Sequence, residues 1–349
     1  MQGTRVSDVR RFVGTLTLRK AGNLFLAYAG LYASRIFRQP LVPGNPHTLS
    51  VEPTTRCNLA CPECPVGNHT LHRPRGDMKT LLFQKIIKDA APYLTHLILY
   101  FQGEPFLAPR FFEMIQTAKS HGLYVSTSTN GHFLSQENNI KLLKSGLDRL
   151  LISLDGASAE SYVKYRRNGD FNRVVNGIRD LVKQREERGQ KNPYIILQCL
   201  LFAHNIDEKG KIIQLGAALG VDTVQFKTAQ FYHLNGDNQM VPDNPEDSRY
   251  RKDNNRNYVI RGRLKNYCTR VWTTAVVTWD GTLVPCCFDK DAKYAAGELR
   301  TYTLKKIWKS AILMKFRKQI LKDRKIIDIC RNCTEGLKKE ITENGKTDL

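Results

Sequence analysis

Between Thr48 and Thr228 short apolar runs alternate with longer stretches in which apolar residues recur three and four positions apart. The short runs are Thr48–Glu52, His96–Phe101, Tyr124–Thr129, Arg149–Leu154, Tyr194–Leu201 and Thr223–Phe226, and their length and composition predict strands. The segments between them, Leu81–Leu94, Arg110–His121, Gln136–Ser145, Arg173–Arg188 and Asp207–Leu219, carry the spacing of helices that cover a sheet. Six strand–helix units predict an α/β fold with a parallel sheet, either open and doubly wound or an incomplete β/α barrel; periodicity does not separate the two. In both, loops converge at the C-terminal ends of the strands, so chemistry is expected there.

The pattern changes on either side of this array. Residues 231–258 are rich in Asn, Asp, Pro and Gly and read as a linker. Beyond it, Thr274–Val284 predicts a hairpin turning at Asp280-Gly281, and Leu304–Asp323 a basic amphipathic helix. Ahead of the array, Leu24–Phe37 is apolar but interrupted by Arg35, and it is shorter than the roughly 20 apolar residues a membrane span needs. Two readings stand: a helix packed on the domain, or one lying on an anionic membrane through Phe25, Leu26, Tyr28, Leu31, Tyr32 and Phe37, with Arg19, Lys20, Arg35 and Arg38 beside them. The expected division is an N-terminal basic amphipathic segment, residues 1–47, a core domain, 48–230, a linker, 231–260, and a C-terminal domain, 261–349.

Composition narrows the function class. With 41% hydrophobic and 25% charged residues in 349, the chain reads as a soluble globular protein with a sizeable core. The formal charge of +21 suits a nucleic acid, an anionic membrane or an acidic substrate. The basic residues form no run of five and are not interleaved with aromatics, which disfavours nucleic acid. Nine cysteines without a secretory signal predict thiols used as ligands in a reducing compartment, hence a cytoplasmic protein, with peripheral membrane contact open to the N-terminal segment.

Directly after the first predicted strand lies Cys57-x3-Cys61-x2-Cys64. Three thiolates at this spacing can hold three irons of a 4Fe-4S cluster and leave the fourth open to a ligand. A zinc site completed by His69 or His72 is the bland alternative. The loop resembles that of the radical S-adenosylmethionine (SAM) superfamily. The resemblance implies a partial (β/α)6 barrel in which the cluster reduces SAM to a 5′-deoxyadenosyl radical that abstracts a substrate hydrogen. Gln102-Gly103-Glu104-Pro105 is similar to the family's Gly-Gly-Glu-Pro turn, which implies that Gln102, Gly103 and Glu104 meet the SAM ammonium, with Gln in place of the first Gly. Ser128-Thr129-Asn130-Gly131 and Ser153-Leu154-Asp155-Gly156 end the third and fourth strands. There the resemblance assigns Asn130 and Ser153 to the ribose and carboxylate of SAM. It gives Arg166 the carboxylate, with Arg167 as neighbour and rival. Glu63 stands where the family often has an aromatic residue, so packing against adenine must come from elsewhere.

A second group comprises Cys268, Gly281-x4-Cys286 and Cys330-x2-Cys333. Four thiolates can fully ligate another 4Fe-4S cluster, or a zinc ion. The layout resembles the SPASM and twitch extensions of radical SAM enzymes. Further cysteines of a full SPASM set do not follow Cys333, so the resemblance implies a twitch-like auxiliary domain with one cluster. Cys199 reads as a buried small hydrophobe. Cys287 stays unassigned, because consecutive side chains of an extended chain point oppositely.

The expected activity is therefore SAM-dependent radical oxidation, with the second cluster accepting an electron and a reductant such as flavodoxin or ferredoxin feeding the first. A peptide or protein substrate and a carbohydrate-like small molecule both fit. Relatives of the SPASM type often mature peptides, whereas no N-terminal segment resembles a winged-helix peptide-recognition element. Lys227, Gln230, Tyr232 and His233 follow the sixth strand and could face substrate, His233 as a candidate catalytic proton acceptor. A zinc-stabilised binding protein for an anionic partner would explain charge and cysteines, but not the Gln102–Pro105 turn.

Overall fold

The structure, a computed structural model, describes residues 2–232, 234, 238–244, 246–262, 264–333, 335 and 341–342. Helices α1 (Gln2–Gly14) and α2 (Leu18–Phe37) precede the strand–helix array. All six predicted strands form: β1 (Thr48–Val51), β2 (His96–Ile98), β3 (Tyr124–Thr129), β4 (Arg149–Ser153), β5 (Tyr194–Leu201) and β6 (Thr223–Thr228). They pair in parallel and in sequence order. A doubly wound sheet reverses its strand order at a switch point; this one does not, which selects the incomplete barrel.

The connecting helices are α3 (Thr80–Ala90), α4 (Phe111–Ser120), α5 (Gln136–Ser145), α6 (Ala159–Tyr165), α7 (Phe171–Glu187) and α8 (Lys209–Ala218). Their apolar faces, carrying Phe83, Ile87, Ile115, Leu142, Ile178 and Leu181, close over Leu49, Leu97, Val125, Leu150 and Leu197 of the sheet to make one continuous core. The short α6 escapes apolar periodicity; it is nucleated by a capping box in which Ser158 and Ser161 satisfy each other's backbone N–H groups.

The linker is less irregular than its composition predicts. Residues Tyr250–Lys252 (β7) and Tyr258–Ile260 (β8) form an antiparallel hairpin. After α9 (Arg270–Thr273), the expected hairpin appears as β9 (Thr274–Val277) and β10 (Thr282–Val284). β9 pairs in parallel with β1, from Thr48↔Thr274 to Val51↔Val277, so the core sheet runs on into the C-terminal region. β11 (Gly297–Glu298) extends that edge beyond β10. The predicted helix Leu304–Asp323 is two helices, α10 (Leu304–Trp308) and α11 (Ala311–Asp323), because the Ser310 hydroxyl accepts from Leu313 N and starts a new helix. α12 (Asp328–Arg331) follows, and β12 (Ile341–Thr342) covers the β6 edge. No helix among the described residues is long and apolar enough to cross a membrane.

Candidate active site at the C-terminal rim

The cysteine loop leaves β1 and is pinned on both flanks. Thr55 N donates to Gly76 O (3.0 Å), and Gly76 N donates back to Thr55 Oγ1 (2.8 Å). On the other flank Glu104 N donates to Arg56 O (2.7 Å). The backbones meet so closely that a Cβ at Gly103, where φ is +74°, would lie 2.5 Å from Thr54 O. The Gly of this turn therefore shapes the loop that carries Cys57, whatever it does for a ligand.

Above the loop a cavity of about 330 Å³ is lined by Cys57, Cys61 and Cys64, by Gln102, Gly103 and Glu104, and by Asn130, Ser153 and Arg166. The structure thus brings together every residue expected to meet the first cluster or SAM. Glu104 is buried and held rigidly: Oε1 accepts from Thr129 Oγ1 (2.7 Å) and Phe106 N (3.2 Å), and Oε2 from Asn130 N (2.7 Å). Burial pushes its carboxyl up to about 7, against the lowering effect of those donors. Arg166 Nε donates to the buried Asp155 (2.5 Å), and its Nη1 points at Cys61 Sγ (3.9 Å). It is not a solvated helix end. Arg167 faces solvent.

The donor set fits an iron–sulfur cluster. Cys57, Cys61 and Cys64 are free thiols, and burial pushes Cys57 up to about 11 and raises Cys61. A cation is needed to hold them as thiolates. N–H groups already aim at sulfur, Arg166 at Cys61 and Asn130 Nδ2 at Cys57 (3.9 Å), the outer-shell contact that tunes such clusters. His69 is exposed with Nδ1 against Arg75 (3.2 Å), and His72 engages Asp291 through its backbone N–H; neither joins the thiols. Among the described residues no three His, Cys, Asp or Glu side chains gather as the ligands of one metal ion.

The C-terminal thiols are likewise free and buried. Burial raises Cys268 to about 12 and Cys330 to about 11, and Arg324 opposes it in both. Arg324 Nη2 donates to Cys333 Sγ (2.9 Å), and Glu335 N also points there (3.4 Å). Burial holds the Cys286 thiol well up as well, with Cys287, Cys268 and Cys330 as its neighbours. Cys287 sits in a turn rather than an extended strand, so the alternation argument does not hold for it; its thiol is near Cys286 and Cys333 and 3.9 Å from Arg270 Nη1.

A second cavity, about 840 Å³, is lined by residues next in the chain to both cysteine groups, Pro65, Asn68 and His72 after the first and Phe288, Asp289 and Asp328 from the second. Gln230, Tyr232 and Lys290 line both cavities. His233 lies outside the described residues. Sequence reasoning missed Arg249, Lys290 and the role of Glu63, whose Oε2 accepts from Tyr232 N (2.8 Å). Arg249 comes from the linker, anchored by Nε donation to Thr228 O (2.8 Å). Lys290 stacks over Tyr232 at 4.4 Å. No local motif announces either; only the fold carries them to the rim.

Comparison with known proteins agrees with this geometry. The profile of the radical SAM superfamily matches residues 51–194, and that of the SPASM iron–sulfur cluster-binding domain matches 268–334. Over 295 residues the chain is 28% identical to the tungsten-containing aldehyde ferredoxin oxidoreductase cofactor-modifying protein of Pyrococcus furiosus, spanning 77% of this chain and 82% of that one. Over 176 residues it is 32% identical to the AdoMet-dependent heme synthase of Methanosarcina barkeri, spanning 50% of this chain and 48% of that one. Native anSMEcpe with bound AdoMet shares the fold, with a TM-score of 0.61 at 18% identity over 82% of this chain and 87% of its own. With each profile falling on one of the two cysteine groups, the chain is an enzyme of the radical SAM superfamily with a C-terminal SPASM domain, and its cofactors are SAM, a 4Fe-4S cluster and auxiliary iron–sulfur.

Proposed function

We propose that the chain is a radical SAM oxidoreductase whose substrate is a small organic molecule held between the two cysteine groups. The observation that carries this reading is the adjoining cavities, one built for a charged cofactor and the other larger and bounded by the SPASM domain. The names of two relatives, a cofactor-modifying protein and a heme synthase, support a small molecule over a peptide.

When bound, the cluster and SAM supply a one-electron cleavage that yields a hydrogen-abstracting radical. Cys57, Cys61 and Cys64 would hold three irons. Glu104 would accept from the SAM ammonium, flanked by Gln102 and Gly103, while Asn130, Ser153 and Arg166 meet the ribose and carboxylate. Leu200 and Tyr165, both in the cavity wall, offer adenine the apolar surface that Glu63 does not. Lys290 would hold an anionic substituent of the substrate, and His233, next to Tyr232 in the chain, is the candidate proton acceptor. Cys268, Cys286, Cys330 and Cys333 would ligate the auxiliary cluster, which would supply an acceptor for the second electron of the oxidation. The nine free cysteines suit the reducing cytoplasm.

The test is 5′-deoxyadenosine formation by the anaerobically reconstituted enzyme, with dithionite, flavodoxin or ferredoxin as reductant. A low-mass metabolite fraction should stimulate it above the uncoupled rate. Stimulation confined to a peptide fraction would overturn the small-molecule substrate. Two further outcomes are expected. Cys330→Ala should lower iron from about eight to about four per chain while uncoupled SAM cleavage persists; loss of all iron would show the groups are not separate sites. SAM affinity should rise about fivefold between pH 6 and pH 7, because Glu104 must ionise to receive the ammonium and does so near 7, below the range in which an α-ammonium itself deprotonates. Glu104→Gln should bind SAM weakly and with a flat profile in calorimetric titrations; an unchanged slope would remove Glu104 from that role.

A further inference from the structure

Helix α2 is built inside out. Its buried face carries Lys20, Asn23 and Ser34 beside Ala27, Gly30 and Leu31, and each polar group is satisfied within the protein. Lys20 Nζ donates to Gly122 O (2.7 Å). Asn23 Nδ2 donates to Asn45 O and Tyr93 O (both 3.1 Å). Ser34 Oγ accepts from Trp272 Nε1 (3.0 Å) and Leu41 N (2.8 Å). The outer face, positions 18, 25, 29, 32 and 36, repeats at seven-, four- and three-residue spacing and carries Leu18, Phe25, Ala29, Tyr32 and Ile36. Leu18 is 95% exposed, Phe25 72%, Tyr32 55% and Ile36 74%. A helix meeting only water would carry its polar residues there.

Cations border this stripe. Arg19 and Arg35 flank it, and Arg38 caps its end. Beside that end a cavity of about 820 Å³ is lined by Tyr32, Arg35, Arg38, Lys265 and Lys325. Arg35 is fixed there by stacking on Tyr267 at 4.0 Å. The one acid in the lining, Asp323, accepts from Lys325 N (3.0 Å) and starts the turn it belongs to.

We propose that this face docks on an anionic phospholipid bilayer, with Phe25, Tyr32 and Ile36 in the interface and the Arg35–Lys325 cavity receiving a lipid phosphate. An apolar stripe edged by cations fits that surface. A second copy of the chain fits poorly, because face-to-face packing would set Arg19, Arg35 and Arg38 against their own duplicates in a protein of formal charge +21.

The test uses the reconstituted full chain in co-sedimentation with vesicles of phosphatidylcholine alone, or with about one-third phosphatidylglycerol. The chain should pellet with the anionic vesicles and stay in solution with the neutral ones. Phe25→Ser/Tyr32→Ser/Ile36→Ser, on exposed positions, should weaken pelleting by at least about tenfold, and Arg35→Gln/Arg38→Gln by about tenfold as well. Iron content and unfolding midpoint, unchanged in both variants, show that the fold is intact. Three results overturn the proposal: no pelleting with anionic vesicles; pelleting that the triple variant leaves intact, which makes it net charge alone; or a lipid-free dimer that the triple variant abolishes, which assigns the face to a second copy.

Discussion

Cys61→Ala is expected to bring SAM cleavage down to the no-enzyme background. The residue is buried beneath the first cavity with the Arg166 guanidinium against its sulfur, and two thiolates cannot hold the cube in the orientation that leaves one iron open. Iron should fall by about four per chain while the auxiliary share remains. Far-ultraviolet circular dichroism should stay as in the parent, since the strands and helices of the barrel are held by their own apolar core. Retained 5′-deoxyadenosine formation would falsify the assignment of this loop to the cluster.

Asp155→Ala is expected to cost about 3–5 kcal/mol of stability, the range for a buried ion pair broken from one side. Asp155 is fully buried; its Oδ2 accepts from Arg166 Nε (2.5 Å) and its Oδ1 from Leu200 N (2.7 Å). Alanine leaves an unpaired guanidinium and an orphan backbone N–H in a closed site. Asp155→Asn keeps an acceptor for Leu200 and should recover part of the loss. Chemical unfolding of the cluster-free protein under reducing conditions reads both. A loss below about 1 kcal/mol in the alanine variant would mean that Arg166 finds another partner and that the pair does not fix its geometry.

How far the sequence could be read depended on how local each signal is. Strand positions such as Tyr124–Thr129 and Tyr194–Leu201 coincide with the observed β3 and β5: β5 is apolar at all but Gln198, as a strand buried on both faces should be, and β3 carries the Tyr, Val and Thr that favour strands. The loop of Cys57, Cys61 and Cys64 stood out through its spacing together with its place directly after the first strand, and the structure sets it against the first cavity. The break at Ser310 did not stand out, since one hydroxyl capping a new helix leaves the apolar period nearly intact. The alternation argument used for Cys287 does not apply, because the chain turns there. Arg249 and Lys290 reach the first cavity from segments distant in sequence, and their neighbours are set by tertiary packing, which no window of sequence contains.

The pairing of β1 with β9 bears on the timing of biogenesis. A strand that opens the array and delivers the cysteine loop is completed on its outer side by residues more than two hundred positions later. Contacts so remote close slowly, and a chain emerging from the ribosome makes its N-terminal half first. The outer edge of β1 is thus completed only after the SPASM domain has been synthesised and docked.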